Sequence, residues 1–234
     1  MKTFFTSFAV LMLSVSALFA QVGEQKPEHP IYISVQGGML FSANENTFSY
    51  SDNGVFKDLF TPQGSFSIGY DFGTRAGARL NVNYGKNVSG ANVKQTSGNH
   101  PETGKHFFPY DFKNASAFLD LTWNIAAEGY EGPLVPKVYA GIGLGHTFGF
   151  SNPKHPWQGI SDPNNAFGFR VGFLGEVMLG NSFGAFIDLS AEAYTDQFNG
   201  LRPSKAEQER HGRGYLGFPF DLRGLASFGL AVHF

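Results

Sequence analysis

Gly224-Leu225-Ala226-Ser227-Phe228-Gly229-Leu230-Ala231-Val232-His233-Phe234 alternates with a period of two. Ala226, Phe228, Leu230, Val232 and Phe234 share one face, while Ser227, Gly229, Ala231 and His233 share the other. Such alternation marks a strand with one apolar side. Stopping on an aromatic suits the closing strand of a barrel in an outer membrane, whose last residue rests at the bilayer interface beside strand one. Phe228, Leu230, Val232 and Phe234 are therefore expected to be the assembly signal, read by the barrel-assembly machinery.

At the other end, Lys2 precedes an apolar run from Phe8 to Phe19 and then small residues, the layout of a secretory signal peptide. About a dozen apolar residues are too few for a membrane-spanning helix. The expected organisation is a signal peptide over 1–20, a short periplasmic segment over 21–30 and a barrel over 31–234. Leu18 is a poor residue three positions before that cut, so cleavage after Ala17 is the alternative. No other stretch holds about 20 consecutive apolar residues, so no transmembrane helix is expected in the mature protein.

Composition excludes several function classes. A formal net charge of -2 offers no electrostatic footprint for nucleic acid. The absence of cysteine excludes disulfides and thiolate metal sites. Gly accounts for 30 of 234 residues, above the usual share of about 7%. In a small barrel, glycine lets strands curve and leaves lumen space for large side chains on neighbouring strands.

Eight alternating runs follow one another at about 31–41, 64–72, 76–85, 112–125, 137–150, 165–179, 185–196 and 220–234. Runs of that length fit tilted membrane strands. An even count returns both termini to one side, the periplasm. The links near 72–75, 126–136 and 180–184 are the shorter ones. Those at about 42–63, 86–111, 151–164 and 197–219 are long and polar, as expected of outer loops. The reading is an all-β fold: an eight-stranded antiparallel up-and-down transmembrane β-barrel.

Alternation alone does not say which face meets lipid, because a soluble lipocalin-like barrel alternates too. Charge decides. Arg79, Asp120, Arg170, Glu176, Asp188, Glu192 and Arg223 lie deep within strands on the face opposite the apolar set. Seven ionisable groups would ruin a soluble core but can line a membrane barrel's lumen. Threading the strands puts Phe41, Phe66, Tyr84, Phe148 and Phe167 toward the outer rim and Phe72, Trp123 and Phe234 toward the periplasmic rim. Two aromatic girdles are expected of such a barrel.

The eight-strand plan, the closing strand from Leu222 to Phe234 and the segment Ala193-Tyr194-Thr195-Asp196-Gln197-Phe198-Asn199-Gly200 resemble the small outer-membrane barrels related to the N-terminal domain of OmpA. The resemblance covers nearly all of the mature chain and is one of pattern. It implies a Gram-negative cell-envelope protein serving structure, adhesion or surface recognition. The chain ends at the barrel, so the peptidoglycan-binding domain of full-length OmpA is not implied.

Candidate chemistry is sparse. A hairpin centred near Ser182 would place Glu176 opposite Asp188, close enough for an acid–base couple or for a lumen network balanced by Arg79. His146 sits on the apolar face near the outer end of strand five, followed by Thr147 and Phe148. A lipid A deacylase would show Ser at the second position after the His, and here that position is Phe148. His100, His106, His155 and His211 are scattered over outer loops without metal-ligand spacing. Lys205 and Arg210 could meet lipopolysaccharide phosphates from a solvated loop. Gly141, Gly143 and Gly145 lie inside a strand and make room for neighbours such as Phe118 and Arg170.

No catalytic residue, cofactor or metal is expected, and the partners are outer-membrane lipids and lipopolysaccharide, without nucleic acid. The expectation is a monomeric, plugged, porin-like barrel acting through its outer loops. The alternatives are a lipid A-modifying enzyme and a narrow channel. Glu192 is expected to bridge Arg170 and Arg223.

Overall fold

The computed structural model describes residues 28–43, 60–89, 98–99, 106–107, 110–126, 132–151, 163–195, 198 and 220–234. The segment read as a signal peptide lies outside them, as do His100, His155, His211, Lys205 and Arg210. In the two-residue ladder between Gly98–Asn99 and His106–Phe107, backbone pairing alone is described.

Eight long strands close into one antiparallel barrel. They are β1 (Ile31–Ala43), β2 (Phe60–Asp71), β3 (Ala76–Ser89), β4 (Tyr110–Asn124), β5 (Leu134–Phe148), β6 (Asn164–Met178), β7 (Phe183–Thr195) and β8 (Phe220–His233). Each pairs with its neighbours in sequence, and β8 pairs with β1 to complete the circle. That last seam runs from Tyr32↔His233 to Ala43↔Leu222, and Phe234 N donates to Ile31 O at 2.8 Å.

Burial follows the two-residue period and inverts a soluble protein. In β8 the pattern alternates exposed and buried residues from Phe220 to His233. Val35, Leu80, Val82, Leu144, Val171 and Phe228 stand outside, and Leu144 is 65% exposed. Arg79, Asp120, Arg170, Glu192 and Arg223 lie inside at 3% exposure or less. An apolar wall around a charged interior has no stable place in water, since the exposed belt would aggregate, but it matches hydrocarbon. The chain is a transmembrane β-barrel.

The register sets its dimensions. One row of directly paired residues leaves β1 at Tyr32 and returns to β1 at Ser42, ten residues further along. With ordinary strand rise and spacing, that stagger over eight strands tilts them by about 40° and gives a backbone cylinder about 16 Å across. An interior of that width is about what side chains can fill.

Three details differ from the sequence reading. β2 and β5 begin earlier than expected, because Pro62 and Pro136 lie inside strands rather than in links. Each stands beyond the end of one of its strand's two ladders, so its missing N–H breaks no ladder there. Secondly, the β6–β7 hairpin is centred one position earlier, pairing Glu176 with Phe186 and Leu174 with Asp188. Glu176 and Asp188 are therefore not opposed, and no carboxylate couple forms. Thirdly, Phe66 pairs with Val35 and Val82 at mid-strand instead of at the outer rim.

Candidate functional site

The charged lumen is the densest cluster of chemistry among the described residues. The row that sets the barrel stagger also carries it, reading Tyr32, Gly69, Arg79, Asp120, Gly141, Arg170, Glu192, Arg223 and Ser42. Its charges alternate in sign around the barrel, with the neutral Gly141 between Asp120 and Arg170. Directly opposed unlike charges attract, so the register itself is favourable.

Contacts realise that alternation. Arg79 Nε donates to Asp120 Oδ2 at 3.0 Å, and Arg79 Nη1 to Asp188 Oδ2 at 3.0 Å. Asp120 also takes Arg170, through Nε at 3.2 Å and through Nη2. Arg170 Nη1 donates to Asn81 Oδ1 at 2.7 Å and lies 3.7 Å from Glu192 Oε1. Arg223 grips Glu192 Oε2 through Nε at 3.1 Å and through Nη2, and Tyr194 donates its hydroxyl to the same oxygen at 2.9 Å. Glu192 thus stands between Arg170 and Arg223, as the direct pairings Arg170↔Glu192 and Arg223↔Glu192 require.

Aromatic rings seat the guanidinium groups. Arg79 Cζ is 4.3 Å from the Tyr139 ring centre, Arg170 4.6 Å from Phe118, and Arg223 4.7 Å from Tyr194 and 4.8 Å from Phe198. Desolvated contacts of this kind contribute up to about 2 kcal/mol each. Tyr139 also donates its hydroxyl to Asp188.

Glycines make the room. A Cβ on Gly141 would strike Asp120, one on Gly143 would come within 2.6 Å of Phe118, and one on Gly145 within 2.6 Å of Tyr194 and Phe198. Gly141, Gly143 and Gly145 are therefore spacers for the lumen side chains, with Asp120 and Tyr194 the neighbours at Gly141 and Gly145 rather than Arg170. Toward the loops, rings lie above the charged row. Phe112 stacks on Phe150 at 4.9 Å and Phe198 on Tyr194 at 3.9 Å. Gly149, at φ 66°, supplies the left-handed turn that brings Phe150 inward.

Toward the turns a second set appears that sequence reasoning missed. Lys137 Nζ donates to Asp71 Oδ1 and Oδ2 at 3.2 and 3.0 Å across the lumen, and Glu176 Oε1 lies 2.7 Å from His233 Nε2. Lys137 and Asp71 have lumen parity but stand near strand ends. His233 was visible on the polar face without a partner. Glu176 consequently pairs with His233, and Arg79 serves Asp120 and Asp188 instead.

The outer surface carries the remaining residues singled out from the sequence. Phe41, Phe148 and Phe167 stand near the loop ends of their strands, Tyr84 in the upper half of β3, and Phe72, Trp123 and Phe234 at the turn end. Phe228, Leu230 and Val232 face outward along β8. His146 is on the outer wall, with Nδ1 2.8 Å from Asn165 Oδ1 and its ring stacked 5.5 Å from Phe148.

No protein-family model matches the chain. No curated protein matches it either. Among solved structures, it is similar to Neisserial surface protein A, with 13% identity over 87% of this chain and 97% of that one and a TM-score of 0.49. A major outer membrane protein of Thermus thermophilus shares 14% identity over 88% of this chain and 100% of that one, with a TM-score of 0.49. The N-terminal β-barrel domain of Pseudomonas aeruginosa OprF shares 13% identity over 87% of this chain and 97% of that one, with a TM-score of 0.41.

Proposed function

We propose that the chain is a non-catalytic outer-membrane barrel of the OmpA-like type, with a plugged lumen, serving envelope structure or surface recognition through its outer loops. The observation that supports this is the alternating row Arg79, Asp120, Arg170, Glu192, Arg223, bonded across the lumen and seated on aromatic rings. Moving any of these side chains breaks buried ion pairs, and parting Glu192 from Arg223 leaves the Arg223 charge uncompensated, which favours a static filling over a path for ions.

On this reading Phe228, Leu230, Val232 and Phe234 present the closing strand to the barrel-assembly machinery. The finished protein is a monomer among outer-membrane lipids and lipopolysaccharide. His146 is an interfacial residue, because its partners are an amide and a phenyl ring rather than a hydroxyl nucleophile. Two measurements test the reading. Reconstituted protein should give no steady ion current at moderate voltage, and long-lived uniform single-channel steps would overturn the plug. Lipid A mass spectra of cells with and without the protein should be identical, and a difference of one acyl chain would make it an enzyme.

One observation favours a second reading, a narrow path for water. Gln36 Oε1, Gln63 Oε1, Ser65 Oγ and Asn83 Oδ1 on the β1–β3 wall are buried and bond no other group among the described residues. Buried polar atoms of that kind are ordinarily satisfied by water. Osmotic swelling of reconstituted vesicles distinguishes the two readings, since the plugged barrel leaves the rate at that of lipid alone.

A further inference from the structure

At the loop end of β3 and β4, on the wall that faces the membrane, two lysines oppose each other directly, Lys86↔Lys113. Like charges in opposed positions repel. Lys86 is half exposed, and its Nζ lies 2.5 Å from Asp111 Oδ2, a carboxylate on the same wall. Lys113 is exposed and pairs across β5 with Phe148. The row beneath, toward mid-membrane, reads Tyr84, Ala115, His146 and Asn165. Its Tyr84 is 53% exposed, and His146 stacks on Phe148.

Tyrosine and tryptophan side chains on a membrane wall concentrate at the interface between hydrocarbon and head groups. Lysines immediately beyond them reach the height at which lipid phosphates stand. Among the described residues the patch holds two lysines against one aspartate, so a positive charge remains for an external anion. Neither a lumen solute nor a loop ligand meets this wall, whereas a membrane lipid does.

We infer that Lys86 and Lys113, flanked by Tyr84, His146 and Phe148, form a binding site for the phosphate of an outer-leaflet glycolipid head group. Asp111 weakens the site by neutralising Lys86. This inference rests on the outer-membrane reading above, and it places the lipid contact on the barrel wall rather than on the loop that bears Lys205 and Arg210.

The test uses full-length protein folded in detergent micelles and native mass spectrometry, with bis-phosphorylated lipid A and the same lipid stripped of phosphate as probes. Wild-type protein should retain the phosphorylated form in preference. Near a charged lipid surface each lysine is expected to change affinity about five-fold, so Lys86→Gln with Lys113→Gln should lose about 25-fold. Lys86→Arg with Lys113→Arg should bind as wild type, and Asp111→Asn should bind about two- to five-fold tighter. Equal retention of both lipids, an unchanged affinity in the double Gln variant, or displacement of lipid A by inorganic phosphate would each overturn the site. Flotation of wild-type protein with pure phosphatidylcholine vesicles reports the membrane reading separately, because it needs no phosphorylated glycolipid.

Discussion

Glu192→Gln isolates one charge of the lumen row. The two side chains are nearly the same shape, and a Gln oxygen can still accept from Arg223 Nε, so packing is preserved while the charge is lost. Among the described residues Glu192 is the sole carboxylate within ion-pair distance of Arg223, whereas Arg170 keeps Asp120. Arg223 would be left as a buried cation at 3% exposure. Removing one partner of a buried pair costs about 3–5 kcal/mol. The rings of Tyr194 and Phe198 still face the guanidinium, at 4.7 and 4.8 Å, and they place the cost near the lower end, about 3 kcal/mol. With a urea dependence of about 2 kcal/mol per molar, the unfolding midpoint in lipid vesicles should fall by about 1.5 M. Tryptophan fluorescence and heat-dependent gel mobility both report the transition. Lys86→Gln, which breaks an exposed pair, should change stability by no more than about 1 kcal/mol. Combining Glu192→Met with Arg223→Met removes both charges together, and the cycle should show a coupling of about 0.5–3 kcal/mol. If Glu192→Gln unfolds at the parent's urea concentration and the cycle shows no coupling, the alternating row is not what holds the lumen together.

Gly141→Ala should destabilise the barrel by about 1–3 kcal/mol in the same urea titration, because the new methyl group would meet the Asp120 carboxylate and the β4 backbone. Tyr139→Phe removes a hydroxyl donor from Asp188 and should cost about 1.5–3 kcal/mol, with Arg79 still holding the carboxylate; no change would mean that Arg79 alone satisfies it. Val82→Lys puts a charge on the outer wall at mid-strand and should cost about 2–4 kcal/mol in vesicles, so free tolerance of it would contradict the lipid-facing assignment of that wall.

Which side chains face the lumen was legible in the sequence, because facing depends only on parity along each strand. Arg79, Asp120, Arg170, Glu176, Asp188, Glu192 and Arg223 could be placed inside from the two-residue period alone. Which of them meet was legible only in part. The expected bridge by Glu192 between Arg170 and Arg223 is present, and Glu192 opposes both directly. The one-position difference in the β6–β7 turn moves pairing by two residues. Every side chain keeps its face, but Glu176 exchanges Asp188 for His233.

The closure of β8 on β1 and the ten-residue stagger of the rows belong to the tertiary structure. They bring Lys137 to Asp71 and Arg79 to Asp188 across the lumen, between strands that are not neighbours. They also line up Arg79, Asp120, Arg170, Glu192 and Arg223 on one climbing row. No local pattern encodes such meetings, because they depend on strand tilt and barrel radius, which eight strands set together. Likewise, Pro62 and Pro136 read as breakers in isolation. Only the ends of the neighbouring ladders show that no bond is lost there. The sequence by itself therefore determined the wall, apolar outside and charged within, through a periodicity felt residue by residue. Tertiary structure decided the partners inside it, because register is a property of the closed sheet.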